Sequence, residues 1–174
     1  MGEAHRSPSR VLVGVVSHGR SRTLEELAKS VTETLRGAGF QVVRNVVAQG
    51  EPTYIAQLVS NVSNENEADA IVMIGGTGFG PRDNACETID GLVERSIEGF
   101  GEAFRRLLRE EFNEGARAML SRATAGVYNR CLVFALTARP AEVTSAVQHL
   151  VVPVLREAIA LATGHRRAYD AWPE

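Results

Sequence analysis

Apolar positions along the first half of the chain follow two different periods. Short β-branched runs predict strands over 11–17, 40–47 and 69–74, and the first, VLVGVVS, suits a strand that is buried on both faces. Between them, apolar residues recur at helical spacing from Thr23 to Gly37 and over 53–62. Thr23 is the expected helix cap, with Glu26 three residues later. This alternation favours right-handed βαβ units and a parallel sheet.

The second half predicts more helix and one hairpin. A short helix is expected over 87–93, an amphipathic helix over 99–112, and further helix over 116–122. A strand over 125–128 and a core strand over 131–136 are joined by a two-residue turn. Pro140 then opens a long helix to Ala162, which Pro153 should kink or split and Gly164 should end.

Length and composition predict one globular domain over 11–164, between a flexible segment of residues 1–10 and a tail of residues 165–174. The chain has 174 residues, of which 44% are hydrophobic and 23% charged, and its net charge of -2 attracts neither nucleic acid nor an anionic membrane. Its only cysteines, Cys86 and Cys131, form no CxxC pair, so reduced thiols and a cytoplasmic location are expected. No apolar run approaches the roughly 20 residues of a membrane-spanning helix. In the tail, Tyr169 and Trp172 are candidates for docking on a neighbour.

The strand that precedes IGGTGFGPRD leads directly into a glycine-rich loop, which ends at Arg82 and Asp83. In such a loop, backbone N–H groups approach an anion closely, a guanidinium binds phosphate, and a carboxylate binds Mg²⁺. A tight turn explains GGTG alone equally well, but the following Pro-Arg-Asp favours a phosphate site. Ligands of parallel sheets bind at the carboxyl ends of strands, so the loops at His18 and Gly50 should open on the same edge.

Other chemistry in the chain is sparse. Ser121 and Arg122 offer a hydroxyl and a second cation to a polyanion, although helix termination explains the pair equally well. The four histidines lack metal-ligand spacing, which argues against a zinc site. The absence of a serine elbow, a recognisable Cys/His pair or interleaved basic and aromatic residues argues against a hydrolase and against nucleic-acid binding.

Several segments together resemble the MoaB/MogA family of molybdenum cofactor biosynthesis proteins, with MoaB as the nearer branch. IGGTGFGPRD, EGFGEAFRRL, AMLSRATAGV and FAL followed by PAEV have the order and spacing of that family, over roughly 11–164. The resemblance implies a three-layer α/β/α fold with a mostly parallel central sheet, and a homotrimer or hexamer that binds molybdopterin. Active members use Mg²⁺ and ATP, as a co-substrate, to adenylylate the terminal phosphate of the pterin, and need no permanently bound cofactor.

The resemblance also assigns roles to particular residues. Asp83 matches the catalytic acidic position and would bind Mg²⁺. Gly75, Gly76, Thr77 and Gly78 match the family's loop for nucleotide and pterin phosphate, Ser121 and Arg122 match its SRA motif, and Glu87 matches a glutamate shortly after PRD. Together with Arg82, these are the predicted residues that bind nucleotide or substrate.

Three loops depart from the family pattern. His18 stands near the position of a family aspartate, Glu51 is the substitute for a second, and TARP replaces PGSP, so that Arg139 would hold phosphate by charge alone. The primary expectation is a molybdopterin adenylyltransferase in which Glu51 and Asp83 share catalysis and Mg²⁺. The alternative is a non-catalytic molybdopterin-binding or scaffold protein. An exposed apolar side of the 99–112 helix is expected to support the oligomer.

Overall fold

The computed structural model describes residues 9–164, and its centre is a six-stranded sheet with the order β2-β1-β3-β6-β5-β4. Strands β2, β1, β3 and β6 are parallel, whereas β5 and β4 are antiparallel to their neighbours. The strands are β1 (Arg10–Ser17), β2 (Gln41–Gln49), β3 (Ala70–Ile74), β4 (Arg95–Ser96), β5 (Thr124–Tyr128) and β6 (Cys131–Leu136). The predicted mostly parallel sheet is therefore confirmed. The predictions for residues 1–8, and for the tail with Tyr169 and Trp172, lie outside the described residues.

Within residues 9–164, six α-helices cover the two faces of this sheet. They are α1 (Arg22–Gly37), α2 (Pro52–Asn64), α3 (Ala85–Leu92), α4 (Glu98–Glu111), α5 (Pro140–Ala146) and α6 (Val152–Ala162). A 3₁₀ helix over Gly115–Leu120 follows α4, and a π-helical turn over Val147–Val151 joins α5 to α6.

The fully buried strand β3 divides its side chains between two cores. Ala70, Val72 and Ile74 pack with α1, α4, α5 and α6, whereas Ile71 and Met73 pack with α2 and α3. Because side chains alternate along a strand, a strand that is apolar at every position must be covered on both faces. The three-layer α/β/α arrangement is confirmed.

The first helix begins earlier than predicted, and its cap is a different residue. Ser21 has an extended backbone, and its side chain accepts a hydrogen bond from the Leu24 N–H at 3.3 Å. Thr23 lies inside the first turn, so the prediction of Thr23 as the cap was wrong. Both residues have a hydroxyl, and the extended backbone of Ser21 places the helix start at Arg22.

The apolar side of α4 is buried within the chain, so the expectation that it is exposed was wrong. Phe100, Phe104 and Leu107 are at most 6% exposed, and the Phe100 ring meets Phe134 edge to face at 5.2 Å. Helical periodicity predicts an apolar face but not the surface against which it packs. Oligomerisation remains a prediction without support from this helix.

The segment around the hairpin differs in detail from the prediction. The short strand β4, which pairs with Gly126 and Val127, is not predicted by its polar sequence Arg-Ser. The predicted turn between β5 and β6 is confirmed, since Asn129 and Arg130 have positive φ angles of 41° and 69°, as a tight hairpin turn requires.

The helical run from Pro140 to Ala162 is long and apolar enough to cross a membrane by length and composition, contrary to the expectation that no run was. Its inner face packs in the core through Val143, Val147 and Leu155, as the inner face of a core helix does. Pro153 is near the start of α6 and follows the π-helical turn. The predicted split at Pro153 thus takes the form of a local change in helix type, because proline has no N–H to donate.

Candidate functional site

The loops after β1, β2 and β3 meet at one edge of the sheet, as predicted. The His18 Nε2 atom lies 3.1 Å from the Arg82 carbonyl oxygen, and the Asn84 side-chain amide donates to the Gly50 carbonyl at 3.4 Å. The chain runs from β1 to one side of the sheet and from β3 to the other, so this edge is the topological switch point. Open α/β sheets bind ligands at such a point.

Two glycines let the chain turn sharply after β3. Gly75 and Gly76 have φ angles of +94° and +71°, and a Cβ atom on either would lie 2.9 Å from the backbone or side chain of Val16. The turn is fixed by a hydrogen bond of 2.9 Å from the Gly75 N–H to the Leu136 carbonyl. The glycine loop therefore starts in close contact with β1, which only residues without a side chain permit.

Arg122 holds the glycine loop in place. Its Nε donates to the Thr77 carbonyl at 3.3 Å, and its Nη2 donates to the carbonyls of Gly78 and Asp83, the latter at 3.2 Å. Its Nη1 pairs with Glu87, and this hydrogen bond lowers the pKa of the Glu87 carboxyl below its usual range. Arg122 was predicted to contact a ligand, but these donors are directed at the protein, and the structure places it as the clamp of the loop.

Asp83 is the last residue of the turn that closes the glycine loop, and its carboxylate folds back onto that turn. Its Oδ2 atom accepts a hydrogen bond of 2.8 Å from the Gly80 N–H. A Cβ atom on Gly78 would lie only 2.5 Å from that same oxygen, so the loop is shaped around the carboxylate. The Oδ1 atom of Asp83 has no hydrogen-bond partner within residues 9–164.

An open cavity of about 470 Å³ brings together most of the predicted site residues. They are Gly76, Thr77, Gly78, Asp83, Ser121, Arg122 and Arg139. Gly75 is buried next to them, and Glu87 points at Arg122. Arg82 is exposed, and in the described part of the chain its guanidinium has no hydrogen bond or ion pair, so it is a free cation beside the loop.

Glu51 lines a different cavity of about 470 Å³, together with His18, Arg20 and Gln49. Its carboxylate is 56% exposed and lies 3.9 Å from His18 Nδ1. His18 thus contacts both Glu51 and the Arg82 turn. The structure does not bring Glu51 into the cavity that Asp83 lines.

Arg139 is paired within the protein. Its Nη1 donates to Glu114 at 3.1 Å and to the buried Glu142 at 2.8 Å, and the second contact raises the pKa of Arg139. The predicted phosphate-binding charge is therefore balanced by two carboxylates. Sequence reasoning missed Glu114 and Glu142, because Glu114 is distant in sequence and a glutamate one turn into a helix resembles any surface residue.

Phe79 is the other residue that sequence reasoning missed at this cavity. Its ring is 69% exposed and lies 5.1 Å from the Arg122 guanidinium carbon, in a cation–π contact. The sequence does show one sign of this residue, because a large apolar side chain is unusual inside a glycine-rich turn such as GGTGFG.

A metal would need few protein ligands here. Among the described residues no three His, Cys, Asp or Glu side chains gather into a metal-binding group. Mg²⁺ that is bound together with nucleotide phosphates requires only one or two carboxylates and takes its other ligands from phosphate and water. Asp83, with Oδ1 unpaired at the cavity, fits that requirement.

Thiol chemistry does not contribute to this site. Cys86 and Cys131 are free and buried, and burial raises the pKa of each to about 12. The Cys86 thiol donates to the Arg122 carbonyl at 2.8 Å. Both groups are therefore protonated at neutral pH, and a thiol is a poor nucleophile.

Comparison with known proteins identifies the family. Residues 11–157 match the family described as "Probable molybdopterin binding domain". The chain belongs to this family. It is 30% identical to molybdenum cofactor biosynthesis protein B of Escherichia coli K12, over 85% of this chain and 86% of that protein. The corresponding protein of Bacillus cereus is 33% identical, over 86% and 89%. The crystal structure of the molybdopterin biosynthesis enzyme MoaB of Thermus thermophilus matches with a TM-score of 0.77 and 30% identity, over 90% of this chain and 97% of that one.

Family membership places the chain among the molybdenum cofactor biosynthesis proteins of the MoaB/MogA type. The resemblance drawn from the glycine, SRA and FAL segments is thereby confirmed. In this chain, the glycine loop and the SRA segment meet at the glycine-loop cavity.

Proposed function

We propose that the chain binds molybdopterin in the glycine-loop cavity and uses Mg-ATP to adenylylate its terminal phosphate. The observation that carries this proposal is the loop clamped by Arg122, which holds the Asp83 carboxylate at a cavity large enough for a small-molecule ligand. A clamped loop needs little reorganisation at the moment of reaction, which is how positioning lowers a barrier.

The reaction is a transfer of an adenylyl group between phosphates. An oxygen of the molybdopterin phosphate attacks the α-phosphorus of ATP, a new P–O bond forms, and the bond to the β-phosphate bridge breaks so that pyrophosphate leaves. Thr77 and Gly78 line the cavity, where their backbone N–H groups would bind phosphate oxygens, and the free guanidinium of Arg82 would balance the phosphate charge. Asp83 would hold the Mg²⁺, which neutralises the phosphates. The mechanism needs no covalent enzyme intermediate.

Pyrophosphate release tests the proposal. The purified protein incubated with molybdopterin, ATP and Mg²⁺ should release pyrophosphate, and Asp83→Asn should abolish this release. Asparagine keeps an oxygen that can accept from the Gly80 N–H, so the fold should survive. A matched control is Asp90→Asn, because Asp90 is exposed and accepts from the Thr124 hydroxyl outside the cavity. Equal activity of both variants would refute the assignment of Asp83.

A second candidate function is binding of molybdopterin without catalysis. It is favoured by two observations: Glu51 lines a different cavity from Asp83, and the charge of Arg139 is already balanced. This function predicts molybdopterin binding by calorimetry in the absence of any pyrophosphate release, with an active family member as the control. Glu51→Gln separates the cases further, since a shared Mg²⁺ site requires that this variant lose turnover.

Assembly and location belong to the same proposal. The chain is expected to form a homotrimer or hexamer in the cytoplasm. Light scattering should give a mass of three or six chains, and a monomer at micromolar concentration would contradict it.

A further inference from the structure

An apolar groove, separate from the glycine-loop cavity, shares no lining residue with it. It has a volume of about 1060 Å³, more than twice that of the glycine-loop cavity at about 470 Å³, and runs between α6, the start of α4 and the β5–β6 hairpin. Its walls include Ile97, Leu150, Val154 and Leu161. Val154 and Leu161 are 46% and 40% exposed, on a helix whose other face is already packed in the core. An exposed apolar groove of this size usually indicates an interaction site.

The described chain ends inside this groove. Thr163 and Gly164 are among its lining residues, and the sequence continues with HRRAYDAWPE. That segment holds two large aromatic residues, Tyr169 and Trp172, and side chains of this size each bury about 150–250 Å² when they are docked.

Charge and length both suit this segment to the groove. The rim carries carboxylates at Glu94 and Glu157 and guanidinium groups at Arg95 and Arg130, while the segment begins His-Arg-Arg and continues with Asp170. The wall that α6 forms back to Leu150 is about 21 Å long at 1.5 Å per helical residue. Eight extended residues, the distance in sequence from Gly164 to Trp172, reach roughly 26–29 Å. Trp172 can therefore reach any part of the groove from the end of its own α6.

We infer that residues 165–174 dock into this groove of the same chain, with the rings of Tyr169 and Trp172 covering the apolar outer face of α6. The inference is independent of the proposed function.

Tryptophan fluorescence tests the inference directly, because Trp172 is the only tryptophan of the chain. The native protein should emit at a clearly shorter wavelength than the urea-unfolded chain and should resist quenching by acrylamide. Val154→Lys should shift the emission to longer wavelength and raise quenching several-fold, with an unchanged circular dichroism spectrum, since this side chain is partly exposed. The control is Val47→Lys on β2, at the opposite edge of the sheet, where a valine is 55% exposed and the emission should not change.

Co-refolding distinguishes the same chain from a second copy. Val154→Lys chains, which keep Trp172, are refolded together with Trp172→Phe chains, which keep an intact groove. Emission that stays at long wavelength supports docking within one chain. Emission that returns to short wavelength means that the segment occupies the groove of a neighbour and overturns the inference. A native protein whose tryptophan is as exposed as in urea overturns it as well.

A second readout covers the case in which Val154→Lys fails to fold. Trp172→Ala leaves the groove residues intact and should expose their apolar surface, so that binding of an apolar dye rises several-fold over the native protein. Unchanged dye binding would show that Trp172 does not cover the groove.

Discussion

Replacing Arg122 by lysine should loosen the glycine loop without breaking the fold. The guanidinium reaches three carbonyls of the loop, those of Thr77, Gly78 and Asp83, as well as the Glu87 carboxylate. Lysine has a compact ammonium group on a flexible stem, so it cannot span these separated acceptors. We expect the loop to lose its fixed shape, and the Asp83 carboxylate to lose its position at the cavity.

The magnitude follows from the number of contacts and from the exposure of the side chain. A net hydrogen bond contributes about 0.5–1.5 kcal/mol, and somewhat more when the donor is charged. The Arg122 side chain is 23% exposed, so water compensates part of the loss. Loss of three carbonyl contacts should lower the free energy of unfolding by about 2–3 kcal/mol. For a domain of this size that lowers the Tm by roughly 4–12 °C.

Thermal unfolding followed by circular dichroism measures this effect, and Glu87→Gln is the matched control. That variant keeps every carbonyl contact and removes only the ion pair, whose carboxylate is 60% exposed and contributes less than about 1 kcal/mol. Arg122→Lys should therefore lower the Tm clearly more than Glu87→Gln. If the two variants lower the Tm equally, the ion pair and not the carbonyl clamp stabilises the loop. A change of less than a degree in Arg122→Lys would refute a stabilising role of the clamp.

Three further outcomes follow from the structure. Gly78→Ala should sharply lower pyrophosphate release, because its Cβ would displace the Asp83 carboxylate that holds Mg²⁺, whereas Gly91→Ala, where a Cβ meets nothing within 4 Å, should keep its activity and be slightly more stable. Glu67→Gln should reduce the free energy of unfolding that the protein loses below about pH 4.5, by less than about 1 kcal/mol, in acid titrations monitored by circular dichroism. The hydrogen bond from Arg44 lowers the pKa of the Glu67 carboxyl, so the stability that this carboxylate contributes is present above its ordinary pKa and is lost as the pH falls. The same pH dependence in the variant and the native protein would contradict this. A thiol reagent should label neither cysteine in the native protein and both in urea, since burial raises both pKa values to about 12; rapid native labelling would refute this.

Most of the fold could be predicted from the sequence because its strands and helices have unambiguous periods. Strand β3 is apolar at every position, which requires cover on both faces, and the βαβ order requires parallel pairing. The failures occur where a local pattern has two equivalent outcomes. Ser21 and Thr23 both offer a capping hydroxyl, and an apolar side of α4 suits a core as well as an interface.

The candidate site also has features that follow from the sequence and features that only the folded structure decides. The sequence by itself determined that a glycine turn and a carboxylate at Asp83 belong to one edge of a parallel sheet, because these properties depend on local chemistry and strand order, whereas the SRA segment was linked to them only by the family resemblance. Only the tertiary structure decided what the cations do. Arg122 binds loop carbonyls 39 to 45 residues away, and Arg139 pairs with Glu114 and Glu142, while Arg82 stays free. A charged side chain binds whichever partner folding brings within reach, and for Arg122 and Glu114 that partner is set by long-range packing, on which local sequence carries no information.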